Sequence, residues 1–360
     1  MRRWCAVLAL SGWLASWAAG APILHYEFEN GLATWDKVGN AQPLTIQTKV
    51  AHAGQALECR YTVDRANPYA GPGVLVAPRL AEAKAVRFWL RTDHLAAIAV
   101  ILKETGGARY QALITSPPDT WSHVDLSIDR FRLAPDSKDD NNQLDLDQVT
   151  WLGVMDITRT MPSIKAEDGP RILWLDEFSV DNDASKSAYS PDGKLPYLLD
   201  TFTDGFIPWV AFDGTLALAP KDGALVWQYP GDKADGANNF MFTSLGPLPA
   251  KGATHLLVTL SSTRATQIYL VLQTEPRGGQ DQQRFSAVIG VPASPTPKTY
   301  TLALKDFHQV TNTGPGDDAR HLDLSQVATL VLGDLEVMNG QQPGPNKIFL
   351  DEIQLFAAKS

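Results

Sequence analysis

The sequence predicts an all-β protein built from two tandem antiparallel β-sandwich domains of jelly-roll type. Three observations carry this. Short stretches alternate apolar and polar residues with period two, as in Val86-Arg87-Phe88-Trp89-Leu90-Arg91 and Val124-Asp125-Leu126-Ser127-Ile128. Turn clusters separate them, among them Thr105-Gly106-Gly107, Ser116-Pro117-Pro118-Asp119 and Glu275-Pro276-Arg277-Gly278-Gly279. The pattern is also written twice. Trp174-Leu175-Asp176-Glu177-Phe178 returns as Phe349-Leu350-Asp351-Glu352-Ile353, residues 98–103 (IAVILK) return as 268–273 (IYLVLQ), and Leu144-Asp145-Leu146 returns as Leu322-Asp323-Leu324. No stretch carries a helical stripe over many turns. Single helical turns are expected near Leu146-Gln148 and Leu324-Gln326.

In chain order, Arg2 and Arg3 precede an apolar run from Cys5 to Trp17, and Ala18-Ala19-Gly20 supplies small residues for cleavage. Residues 1–20 thus read as a secretory signal peptide, and the protein as secreted, periplasmic or extracellular. The first domain takes 21–182. Residues 183–196 (DASKSAYSPDGKLP) have linker composition, and the second domain takes 197–360. No stretch is long and apolar enough for a membrane span. The formal net charge is −9, and loss of the leader arginines makes the chain more acidic. Such a chain lacks the basic footprint that a nucleic acid requires. Cys59 is the one cysteine beyond the leader, so no internal disulfide is available; its strand-like setting reads as a small buried hydrophobe.

Each half resembles the galactose-binding-like β-sandwich, the jelly roll of many carbohydrate-binding modules and of the complex-I intermediate-associated protein family. The residues that carry the likeness are Tyr26-Glu27-Phe28-Glu29-Asn30-Gly31, Val50-Ala51-His52-Ala53-Gly54, Arg87-Phe88-Trp89-Leu90-Arg91, Trp121-Ser122-His123-Val124, and Leu173-Trp174-Leu175-Asp176-Glu177-Phe178. Modules of that kind commonly hold a structural calcium between glutamates of the first strand and an aspartate of the last. The resemblance implies Glu27, Glu29 and Asp176 as ligands of a Ca2+ ion in the first domain, helped by carbonyls between residues 49 and 54. Glu27 and Glu29, two apart on a strand, would leave one face together. The second domain has Thr201 and Thr203 there, and only Asp351 remains. The acidic loop 136–142 reads as solvated.

A glycan needs a flat apolar platform beside polar groups. With Val86, Phe88 and Leu90 facing the core, Arg87, Trp89 and Arg91 share the other face and form the candidate platform. Tyr69 in its Pro/Gly loop, Tyr110 and Asp156 are candidates for the same surface, whereas Trp35, Trp121 and Trp209 read as core. The competing arrangement buries Trp89 under a loop. The leading functional expectation is a non-catalytic carbohydrate-binding protein. The alternatives are a cell-surface structural or protein-interaction module and a jelly-roll polysaccharide lyase or glycoside hydrolase. No nucleophile–base pair is legible.

Overall fold

Period-two alternation becomes paired sheets. In a computed structural model, residues 22–77, 80–161, 168–187, 194–219, 223–231, 239–246, 248, 251–275, 282–311, 314–315, 322–341 and 344–358 are described. The leader expected at 1–20 lies outside the described residues.

The first half contributes β1 (Leu24–Tyr26), β2 (Trp35–Gly39), β3 (Thr45–Gln47), β4 (Ala56–Val63), β5 (Ala70–Leu75), β6 (Ala85–Thr92), β7 (Ala96–Glu104), β8 (Arg109–Ser116), β9 (Ser122–Ser127), β10 (Arg132–Leu133), β11 (Val149–Asp156) and β12 (Gly169–Asp181). They form two antiparallel sheets, one in the order β3-β4-β12-β6-β9 with β1 against β12, the other β10-β8-β7-β11-β5-β2. The second half contributes β13 (Tyr197–Asp200), β14 (Val210–Ala211), β15 (Thr215–Leu218), β16 (Leu225–Tyr229), β17 (Phe240–Ser244), β18 (His255–Ser262), β19 (Thr266–Thr274), β20 (Arg284–Val291), β21 (Ser294–Ala303), β22 (His308–Thr311), β23 (Gly314–Pro315), β24 (Val327–Asp334) and β25 (Asn346–Phe356). Its sheets run β15-β16-β25-β18-β21, with β13 against β25, and β14-β17-β24-β19-β20-β22-β23. The order repeats that of the first half, with β23 added at one edge. Single 3-10 turns stand at Leu146–Gln148 and Leu324–Gln326, where one helical turn is expected.

Each pair of sheets encloses its own core. Phe88, Leu90, Ile98, Val100, Leu102, Leu175 and Phe178 fill the first; Trp209, Trp227, Leu256, Leu270, Leu332 and Ile353 fill the second. Trp35 and Trp209 are core residues as expected, and Cys59 is fully buried. Burial pushes the Cys59 thiol up to about 12, which keeps it protonated and inert.

The halves also meet. Thr115 donates its N–H to the Ile207 carbonyl at 2.9 Å and its hydroxyl to the Trp209 carbonyl at 2.6 Å. Arg132 reaches the Leu245 carbonyl and pairs with Glu275 at 2.9 Å. Ala97 and Met161 pack on Val210, with Leu113, Ile157 and Phe242 around them. One end of the outer face of the β10-to-β2 sheet is therefore covered by the second half.

Candidate functional site

The Arg87-Trp89-Arg91 face does not form an open platform. Trp89 lies on the outer face of its sheet as expected, but the His52 ring stacks on it at 3.5 Å between centroids and 12° between planes. His123 stands 5.0 Å away on the neighbouring strand. Trp121 joins from the side, 6.1 Å from His52, so it is a half-buried surface residue and not core. The arginines are committed as well. Arg87 pairs with Asp125 and Asp181, both at 3.0 Å, and donates to the carbonyls of Asp183 and Ala184. Arg91 pairs with Asp119 at 3.0 Å and lies over the Trp174 ring at 5.6 Å. The Arg87 guanidinium, whose donors are taken, has little left for a sugar hydroxyl.

The loop that covers Trp89 is held by the residues expected to hold calcium. Oδ2 of Asp176 accepts the N–H groups of His52 and Ala53, both at 2.9 Å, and Oδ1 accepts the N–H of Glu177 at 2.8 Å. Burial pushes this carboxyl up, against the pull of the three donors. Glu29 accepts the N–H of Gln55 at 2.7 Å. Glu27 and Glu29 are not on a strand. β1 ends at Tyr26, and Phe28 takes φ 63° to put its ring in the core, which breaks the alternation between them. Glu27 instead lies 3.7 Å from His25. Calcium needs several oxygen lone pairs at once. Those of Asp176 point at N–H groups, and among the described residues no three His, Cys, Asp or Glu side chains gather as a metal site. These donors fit a loop clamp and do not fit the ion.

Tyr110 and Asp156 are not on the ligand face either. Both are buried, because their strands turn these positions inward. Tyr110 donates to Asp139 of the acidic loop at 2.5 Å. Asp156 accepts the Tyr61 hydroxyl at 2.8 Å, Nε2 of His94 at 2.9 Å, Arg171 at 3.2 Å and the N–H of Thr158 at 2.8 Å. Burial pushes the Asp156 carboxyl up, yet the bonds from His94 and Thr158 leave it below its usual range. Asp334 repeats the arrangement with Tyr229, Arg264 and Thr266. These are cross-ties between sheets. Tyr69 does stay exposed, at 50%.

A different surface has the form a sugar needs. On the β10-to-β2 sheet, Ile98, Val100 and Leu102 of β7 and Leu152 and Val154 of β11 face the core. Their alternates Ile101 and Lys103, and Trp151 and Gly153, face out. Gly153 pairs directly with Gly73 of β5, and Trp151 with Leu75. The Trp151 indole lies across the two glycines: a Cβ added at Gly73 would stand 2.4 Å from Cζ2, and one at Gly153 would stand 2.1 Å from Cη2. Only glycine at both positions lets the ring lie flat against the sheet. Leu75 beside it is 71% exposed, an unusual position for a leucine. Lys103 and Ile101 of β7 stand on the other side, with Gln111 of β8 beyond Ile101. This is a flat apolar shelf with polar groups at its margin.

The signal for Trp151 was in the sequence, in Trp151-Leu152-Gly153 and Gly71-Pro72-Gly73, since a strand glycine marks a close approach. What identifies the shelf is the Gly73–Gly153 register, and that joins segments far apart in the chain.

The second half lacks this shelf. Register puts Thr329 at the place of Trp151, and Phe242 and Val331 at the places of Gly73 and Gly153. Phe242 and Val210 turn to the first half instead.

No protein-family model matches the sequence, and no curated protein matches it. Among solved structures, a family 11 carbohydrate-binding module from Clostridium thermocellum, in complex with a β-1,3-1,4-mixed-linked tetrasaccharide, is similar at 17% identity over 44% of this chain and 95% of that one, with a TM-score of 0.35. The tandem CBM22-1–CBM22-2 domains of Paenibacillus barcinonensis Xyn10C match at 15% identity over 95% of this chain and 98% of that one, with a TM-score of 0.31. An exo-β-agarase matches at 15% identity over 49% of this chain and 26% of that one, with a TM-score of 0.34. Likenesses this low assign no function to the chain.

Proposed function

We propose that the protein is a secreted, non-catalytic carbohydrate-binding protein, and that a glycan chain lies on the Trp151 shelf. The observation that carries this is the indole ring held flat over the Gly73–Gly153 pair. A pyranose ring has an apolar face that stacks on an aromatic plane, while its equatorial hydroxyls reach polar groups at the rim. A tryptophan clamped by two glycines is already ordered, so little conformational entropy is lost when a sugar stacks on it. The expected leader at 1–20 supports export.

Affinity electrophoresis of the full chain through gels containing different polysaccharides tests the reading. At least one polysaccharide is expected to retard the wild type, and Trp151→Ala is expected to migrate as in an empty gel. The melting temperature should change little, because the ring lies outside the core. Retardation that survives Trp151→Ala would remove the shelf from the account. Release of new reducing ends or unsaturated products during incubation would replace a binder with an enzyme.

A further inference from the structure

We propose that the shelf selects an anionic sugar chain, one carrying carboxylate or sulfate groups, and that Lys103 is the residue that selects it. This rests on the glycan reading of the same surface.

Four residues form one row across four strands: Leu75 on β5, Trp151 on β11, Lys103 on β7 and Arg109 on β8. All four face outward, because their neighbours Val74, Leu152, Leu102 and Tyr110 are in the core. Directly paired residues on adjacent strands stand about 4.5–5.5 Å apart at Cβ. A pyranose stacked on Trp151 therefore carries its substituents over the Lys103 ammonium, and the next sugar comes within reach of Arg109.

The cations of this row are open to a ligand, whereas Arg87 and Arg171 are held by the buried carboxylates Asp125 and Asp156. Lys103 is exposed and has no carboxylate partner among the described residues. Arg109 pairs with Asp136 at 2.8 Å, but that aspartate is 74% exposed, and such a pair exchanges readily with a competing anion. Asp36, on the same face, pairs with Gly73 at the edge of the ring away from Lys103, with β5 and β11 between it and β7. The equivalent row of the second half reads Ser244, Thr329, Gln273 and Arg284, without ring or lysine.

The test runs wild type, Trp151→Ala and Lys103→Gln, as full chains, through gels containing alginate, a sulfated carrageenan or neutral mixed-linkage β-glucan. The expected result is strong retardation by at least one anionic probe and weak retardation by the glucan. Lys103→Gln should weaken anionic binding about tenfold, the worth of one charge-assisted contact, and leave the glucan unchanged. Alginate alone, or carrageenan alone, tells carboxylate from sulfate. Glucan binding as strong as anionic binding, still lost in Trp151→Ala, overturns the charge selection and keeps the platform. So does Lys103→Gln binding the anionic probe as the wild type does. Retardation by no probe, or retardation indifferent to Trp151, overturns the platform and the selection with it.

Discussion

Trp89 and Trp151 both stand on outer sheet faces, and their neighbours decide what each can do. Trp89 has a histidine ring on its face and ion-paired arginines at its sides. Trp151 has two glycines beneath it. Alternation in the sequence gives the face of each residue, but not what crosses above it or lies below. Asp156, a surface candidate by sequence, is turned inward by its strand and is a buried acceptor for Tyr61, His94 and Arg171. Its removal takes the buried acceptor from Tyr61, His94 and Arg171 together. Asp156→Ala is therefore expected to lower stability by about 3–5 kcal/mol in urea denaturation of the full chain. A loss below about 1 kcal/mol would mean that the tie is solvated, as exposed pairs are.

At the level of elements, the repeated last strand was the most legible feature. Trp174-Leu175-Asp176 and Phe349-Leu350-Asp351 both fall on the central strand of their sheet, β12 and β25. The register of each matches: Arg91 lies opposite Trp174, and Ser261 opposite Phe349. Periodicity and repetition are local or near-copy signals, which is why strands and the duplication could be read and long-range contacts could not. The left-handed turn at Phe28, which separates Glu27 from Glu29, has no marker such as glycine. Asp176 consequently works as a clamp on residues 52 and 53. Asp176→Ala frees that loop and should cost about 1.5–3 kcal/mol, the worth of hydrogen bonds to a charged group. The wild-type melting temperature is expected to be the same with calcium or with a chelator. A midpoint raised by calcium in the wild type and not in Asp176→Ala would restore the ion to this place.

Across the whole molecule, two copies of one strand order serve two purposes. The first half keeps the outer face of its β10-to-β2 sheet open at the Trp151 end. The second half has filled the equivalent positions with Phe242 and Val331 and packs Phe242 and Val210 toward Ala97, Met161 and Leu113. Thr115 and Arg132 add polar ties across the same boundary. The second half packs on the face it partly covers, and the proposed shelf has no counterpart at Thr329. On the proposed reading the duplicated fold therefore carries one such shelf. The most direct test is calorimetric titration of the full chain with an oligosaccharide of the polymer that retards it most. The account predicts one site per chain and no measurable heat with Trp151→Ala. Two sites per chain, or undiminished binding by Trp151→Ala, would contradict it.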